Sequence, residues 1–279
     1  LEFSRKLQNA WDASGGALCV GLDPIIDRMP PAIATGPRPV LAFNKLIIDL
    51  VGDLVCAFKP QAAHHGAVGA EADLAETIAY IRERWPMAVI ILDAKRGDID
   101  STAGMYSREA FERYDADAVT VNPYMGEEAV LPFLTRADRA AVVLCRTTNP
   151  SAGLIQRAEV DGEPLFAVIA RLAEAAWNGL GNVMLVVGST QIADMERVRR
   201  AAPTIPFLVP GVGEQGGSAA AAMKAGARAD GRGLVVSASR SILYAGSERQ
   251  IRQAAETIRA ELAYASPDPL APEDRRVLA

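Results

Sequence analysis

The chain has 279 residues, half of them hydrophobic and 23% charged, a globular balance that excludes a disordered or fibrous class for most of its length. A formal net charge of −5, with no local basic patch against it, makes nucleic acid an unexpected partner. The length exceeds the usual single domain, yet one α/β barrel routinely takes about 250 residues.

The first predicted strand is ALCVGLD at 17–23, and helical spacing follows over 40–50. LVCAFKP at 54–60 reads as a second strand, with a helix over 71–85 behind it. AVIILDA at 88–94 precedes a helix over 102–114, and DAVTVNP at 117–123 and AAVVLCR at 140–146 are the fourth and fifth strands. A helix over 164–180 leads to NVMLVVG at 182–188, and another over 191–202 to IPFLVPG at 205–211. GLVVSAS at 233–239 is the eighth strand, followed by helical spacing over 247–265. Each run is too short for an ordinary helix, and several are apolar at consecutive positions, the pattern of parallel strands buried on both faces. Eight strands alternating with helices predict an α/β fold, a single-domain (β/α)8 TIM barrel over 1–265, with a proline-containing tail at 266–279. No linker rich in proline or glycine divides the chain.

Cys19, Cys56 and Cys145 each lie inside an apolar run without metal-ligand spacing, so neither a disulfide framework nor a zinc site is expected. No apolar stretch reaches the roughly 18 residues that cross a bilayer, and the first residues lack a basic-then-apolar leader pattern. The expectation is a cytoplasmic protein without a membrane partner. His64 and His65 are adjacent, and neighbouring side chains on an extended segment point apart, which suits packing better than metal binding.

In such a barrel, the C-terminal strand ends and the loops beyond them form the functional rim. Asp23 stands at the first strand end, Lys59 at the second, and Asp93 and Lys95 at the third, with Asp98 just beyond. Alternation sends Asp93 and Lys95 to one side, about 6.6–7 Å apart along a regular strand, and a neighbouring strand about 4.8 Å away brings Lys59 beside them. Buried charge is costly unless paired, so alternating acid and amine keeps both kinds ionised. An ion-pair plug without chemistry is the alternative for any one of these residues. Gly97 permits a turn that a residue with a Cβ resists, and so can aim Asp98 away from its own strand.

The seventh and eighth strands open into PGVGEQGG at 210–217 and SASRSIL at 237–243. Loops at these positions frequently hold a phosphate; here glycine amides, Gln215 and the planar fork of Arg240 are the candidate donors. Thr147, Thr148 and Asn149 after the fifth strand can read a planar hydrogen-bonding ring, or equally form a turn or cap. No nucleophile elbow, zinc-protease motif or dinucleotide fingerprint is present.

DAKRGDI at 93–99, together with CVGLDP at 19–24, FKPQ at 58–61, TTNP at 147–150, PGVGEQGG and SRSI at 239–242, resembles the orotidine 5′-phosphate decarboxylase family, in the branch with the Asp-Ala-Lys-Arg-Gly-Asp signature. The resemblance implies a cofactor-free and metal-free carbon–carbon lyase of pyrimidine biosynthesis that converts orotidine 5′-monophosphate to uridine 5′-monophosphate on a (β/α)8 barrel. It implies a network of Lys59, Asp93, Lys95 and Asp98, with Lys95 as proton donor to C6. It also implies a homodimer in which Asp98 and Thr102 complete the neighbour's site. Asp23 and Lys59 would then bind ribose, Thr148 the pyrimidine edge, and Gln215 and Arg240 the phosphate. Thr148 replaces the serine of many relatives, keeping the hydroxyl and adding a methyl group, and Ser239 stands where another branch has glycine. Rival readings are a magnesium-dependent sugar-phosphate decarboxylase or aldolase, a Schiff-base aldolase and a non-catalytic nucleotide-binding barrel.

Overall fold

Short runs that are apolar on both faces hide both only when helices cover the outside and side chains fill the inside. The computed structural model describes residues 1–212 and 217–264. Eight strands have that environment: β1 (Leu18–Leu22), β2 (Ala57–Pro60), β3 (Val89–Arg96), β4 (Ala118–Val121), β5 (Ala140–Arg146), β6 (Val183–Val187), β7 (Phe207–Pro210) and β8 (Leu234–Ala238). They form a closed parallel barrel in the order β1-β8-β7-β6-β5-β4-β3-β2, sealed where Leu18 pairs with Val236. The expected (β/α)8 barrel is therefore the observed one. The tail expected at 266–279 lies outside the described residues.

Helices α1 (Phe3–Ser14), α2 (Pro39–Val51), α3 (Glu71–Arg84), α4 (Asp100–Arg108), α5 (Leu165–Leu172), α6 (Ile192–Ala201), α7 (Ala219–Gly226), α8 (Arg240–Leu243) and α9 (Glu248–Glu261) accompany the strands. Three were not signalled by periodicity. The first, α1, precedes the barrel; α7 reads AAAAMKAG, where alanine repeats leave little contrast between faces; and α8 is a single turn, too short to show a period. The crossover after β4 departs from regular alternation. It consists of three 3-10 turns, Pro123–Met125, Glu127–Ala129 and Leu131–Phe133, because Pro123 and Pro132 lack amide donors and Gly126 takes φ 92° between them.

Strand alternation divides the apolar residues into two cores. Val20, Phe58, Ile90, Leu92 and Val119 face outward onto the helices, while Cys19, Ala57, Val89, Ile91, Ala118 and Val142 fill the interior. The three cysteines are buried free thiols. Phe3, Leu7 and Trp11 of α1 join the interior cluster and close the barrel floor. Trp11 Nε1 donates to the Leu234 carbonyl at 2.9 Å, its ring meets Tyr264 edge-on at 6.0 Å, and Lys6 pairs with Asp117 at 2.6 Å. Sealing this end leaves the C-terminal end as the open one.

Replacing Trp11 removes both a buried ring and a hydrogen bond to a buried carbonyl. Trp11→Ala is expected to lower the unfolding free energy by about 3–5 kcal/mol. Urea denaturation followed by far-UV circular dichroism checks this, and an unchanged midpoint contradicts the floor role.

Candidate active site

At the open end the inward positions turn from apolar to charged. Along β3, Val89 and Ile91 belong to the interior core and Asp93 is the next residue on that face, buried among donors. Its Oδ2 accepts from Lys59 Nζ at 3.0 Å and Gln61 Nε2 at 2.9 Å. Its Oδ1 accepts from Lys95 Nζ at 2.6 Å and the Thr120 hydroxyl at 2.9 Å. Asp23, one residue past β1, places Oδ1 4.0 Å from Lys59 Nζ, following the register that sets Gly21 beside Lys59. Three members of the expected quartet, together with Asp23, thus share one cluster within a single chain.

The electrostatics follow from this placement. Burial alone would raise the Asp93 pKa, but the ammonium groups of Lys59 and Lys95 outweigh it and hold the carboxyl well below its usual range. Burial likewise opposes charge on Lys59, and the carboxylates of Asp93 and Asp23 overcome it, keeping the ammonium pKa above the ordinary lysine value. Lys59 is buried, whereas the Lys95 side chain is half exposed. Both cations line the cavity described below, and Lys95 is the more exposed of the two.

Regular strand spacing does not account for the Asp93–Lys95 contact, and here the expectation is corrected. Lys95 has φ 47°, in the left-handed region, and the register slips: Leu92 pairs with Val119 but Arg96 pairs with Val121. Four steps along β3 therefore oppose two along β4, and the bulge folds Lys95 back onto Asp93. Gly97 also has a different reason from the one expected. Its φ is not left-handed; instead an added Cβ would crowd Asn122, 3.1 Å from its carbonyl oxygen.

The cluster forms one wall of a cavity of about 480 Å³, a size suited to a small ligand. Thr148, Gly211, Val212, Ser239 and Arg240 line other parts of it. In the ring order β7 stands four strands from β3, so Gly211 and Val212 at its end lie across the barrel mouth from Asp93. Val212 bridges to Gly217, where an added Cβ would collide with the Ser189 hydroxyl. Gln215 lies outside the described residues. Among the described residues, no three His, Cys, Asp or Glu side chains gather as a metal site.

Asp98 and Thr102 do not line this cavity. Asp98 Oδ1 accepts from the amide of Ile99, and Thr102 is exposed in the first turn of α4. The loop carrying Thr148 is braced from below: Gln156 accepts from the Thr147 amide at 2.9 Å and donates to its hydroxyl at 2.9 Å. Arg146 reaches Gln156 at 3.2 Å and pairs with Asp194 of α6 at 2.7 Å. Sequence reasoning gave no role to Gln61, Thr120 or Gln156. Gln61 was visible within FKPQ, and Thr120 as the one polar side chain of an otherwise apolar strand; Gln156 carried no signal.

The orotidine 5′-phosphate decarboxylase / HUMPS family matches residues 16–257. The orotidine 5′-phosphate decarboxylase of Cellvibrio japonicus is 49% identical over 260 residues, which is 92% of this chain and 95% of that protein. The solved structure of Leishmania donovani OMP decarboxylase superposes with a TM-score of 0.80 at 36% identity, covering 93% of this chain and 99% of the other. The UMP synthase of the same organism gives a TM-score of 0.83 at 39% identity, covering 94% of this chain and 56% of that longer one.

The lowered Asp93 pKa means that its pairing stabilises the fold fully above about pH 4 and fades as pH falls toward the folded value. The raised Lys59 pKa has the opposite sense, its contribution being complete below about pH 10 and lost above. Asp93→Asn strands a buried ammonium and is expected to cost about 3–5 kcal/mol at pH 7. The gap between the urea midpoints of parent and variant should narrow progressively as pH falls below about 4; a gap that does not shrink there contradicts the pairing.

Proposed function

This chain belongs to the orotidine 5′-phosphate decarboxylase / HUMPS family, and from that premise we propose how its residues divide the work of the reaction. The enzyme is a carboxy-lyase that decarboxylates orotidine 5′-monophosphate in pyrimidine biosynthesis. In our reading it needs no cofactor or metal, and Lys95 is the proton donor. The C6–carboxylate bond breaks, its electron pair stays on C6, and CO₂ leaves. A proton from the Lys95 ammonium then bonds to C6, and the amine regains a proton from water. The pair on C6 lies in the ring plane, where the π system cannot take it up, so fixed charge must stabilise it.

The observation that carries this reading is the half-exposed Lys95 ammonium, held 2.6 Å from a carboxylate that is itself anchored by the buried Lys59. Asp93 orients the donor, and carboxylate pairing keeps the buried Lys59 protonated, which disfavours its use as a Schiff-base nucleophile. Asp23 and Lys59 meet the ribose hydroxyls, Thr148 the pyrimidine edge, and Arg240 with Gln215 the phosphate. Binding of the remote phosphate contributes to turnover by holding the ring against Lys95.

The protein acts as a cytoplasmic homodimer in which Asp98 and Thr102 complete the partner's site. Supporting this, Ile99 and Met105, just after Asp98 in the chain, are exposed, as are Tyr124, Met125 and Leu131 in the crossover after β4, whose later turns pack against α4; exposed apolar side chains of this kind suit pairing with another copy. The single domain spans 1–265.

Lys95→Ala is expected to abolish the absorbance loss of orotidine 5′-monophosphate while leaving uridine 5′-monophosphate affinity largely intact; parent-like activity contradicts the donor role. The parent should keep full activity after exhaustive chelation, and loss restored by magnesium would favour enediolate chemistry instead. Mixing inactive Asp98→Ala with inactive Lys95→Ala chains should recover activity through hybrid dimers. Verified subunit exchange without recovery counts against a shared site.

A further inference from the structure

We propose that Thr120 is a positioning residue for the decarboxylation, holding the β3 bulge and the Asp93 carboxylate in the one arrangement that presents the Lys95 ammonium to the substrate. The inference rests on the reading that Lys95 delivers the proton. Thr120 is buried between Val119 and Val121, the two β4 residues that flank the register slip, so it stands opposite the irregular stretch of β3. Its hydroxyl oxygen accepts from two successive amides of that stretch, Ala94 at 2.9 Å and Lys95 at 2.8 Å. A hydroxyl has two acceptor sites and one proton. With both acceptor sites taken, its proton goes to Asp93 Oδ1 at 2.9 Å, the oxygen that also holds Lys95 Nζ.

The three bonds do separate things. The two accepted amides give the bulge a hydrogen-bond partner in place of the β4 carbonyls it has left, and so stabilise the left-handed φ of Lys95. The donated proton fixes the plane of the carboxylate, whose other oxygen is bound by Lys59 and Gln61. Packing does not require threonine here, since valine has the same shape and follows on either side. The hydroxyl is what the site uses.

The test compares Thr120→Val with Thr120→Ser, alongside Lys95→Ala. Thr120→Val is expected to lower kcat about a hundredfold, as a displaced reacting group does, with KM and uridine 5′-monophosphate affinity held within about threefold. Thr120→Ser keeps the hydroxyl and should restore kcat to within about threefold of the parent. A folded Thr120→Val with parent kcat and only a lower Tm overturns the inference, as does a folded Thr120→Ser as slow as the valine variant. If Thr120→Val does not fold, the same criteria are read on Thr120→Ala. An active Lys95→Ala would overturn the underlying reading instead, so the two failures are distinct.

Discussion

The Asp93 carboxylate, buried at the mouth of the barrel, is tolerable there only because four donors saturate it, two on each oxygen. Two of these are ammonium groups and two are neutral, a mixture that offsets desolvation while both cations line the cavity and Lys95 is the more exposed. The neutral donors have their own supports. Gln61 is steadied through its carbonyl by the buried His65, whose Nδ1 donates to it at 2.9 Å while Nε2 receives the Asn44 amide at 3.0 Å. Burial lowers the His65 pKa, in keeping with a neutral ring that donates at one nitrogen and accepts at the other.

The rest of the barrel keeps that cluster dry on one side and accessible on the other. The floor is closed by Phe3, Leu7 and Trp11, so the interior below Asp93 is hydrocarbon, and the charges occupy the level where the core meets the cavity. β7 ends across the mouth from β3, with β8 between it and β1, so Gly211, Val212 and Arg240 follow different strands from Lys59, Asp93 and Lys95. A ligand that reaches both is held by elements that the closed ring fixes relative to each other, which is how binding at a remote group can serve chemistry at a distant ring atom. The Gln156 brace under Thr147 extends the same rigidity to the loop between them.

Much of this was legible in the chain. Eight short apolar runs with helical spacing between most of them specify the barrel, because a strand buried on both faces leaves a continuous apolar run. Charged residues at successive strand ends mark the rim, since unpaired charge is not tolerated in such runs. Lys59, Asp93 and Lys95 are legible for that reason, and the DAKRGDI motif gave them an order.

Other features depend on which strand lies opposite which. The bulge that turns Lys95 back, the crowding of Gly97 by Asn122 and the arrival of the Thr120 hydroxyl on Asp93 all follow from the register of β3 against β4 and its slip after Leu92. Spacing along one strand is local and can be counted from the residues, whereas a hydrogen bond between residues 27 positions apart depends on how the closed ring sets its strands. The sequence by itself determined the kinds of group at the rim and the barrel that carries them; the tertiary structure alone decided their mutual orientation, because direction in a hydrogen bond is a property of two strands and not of one.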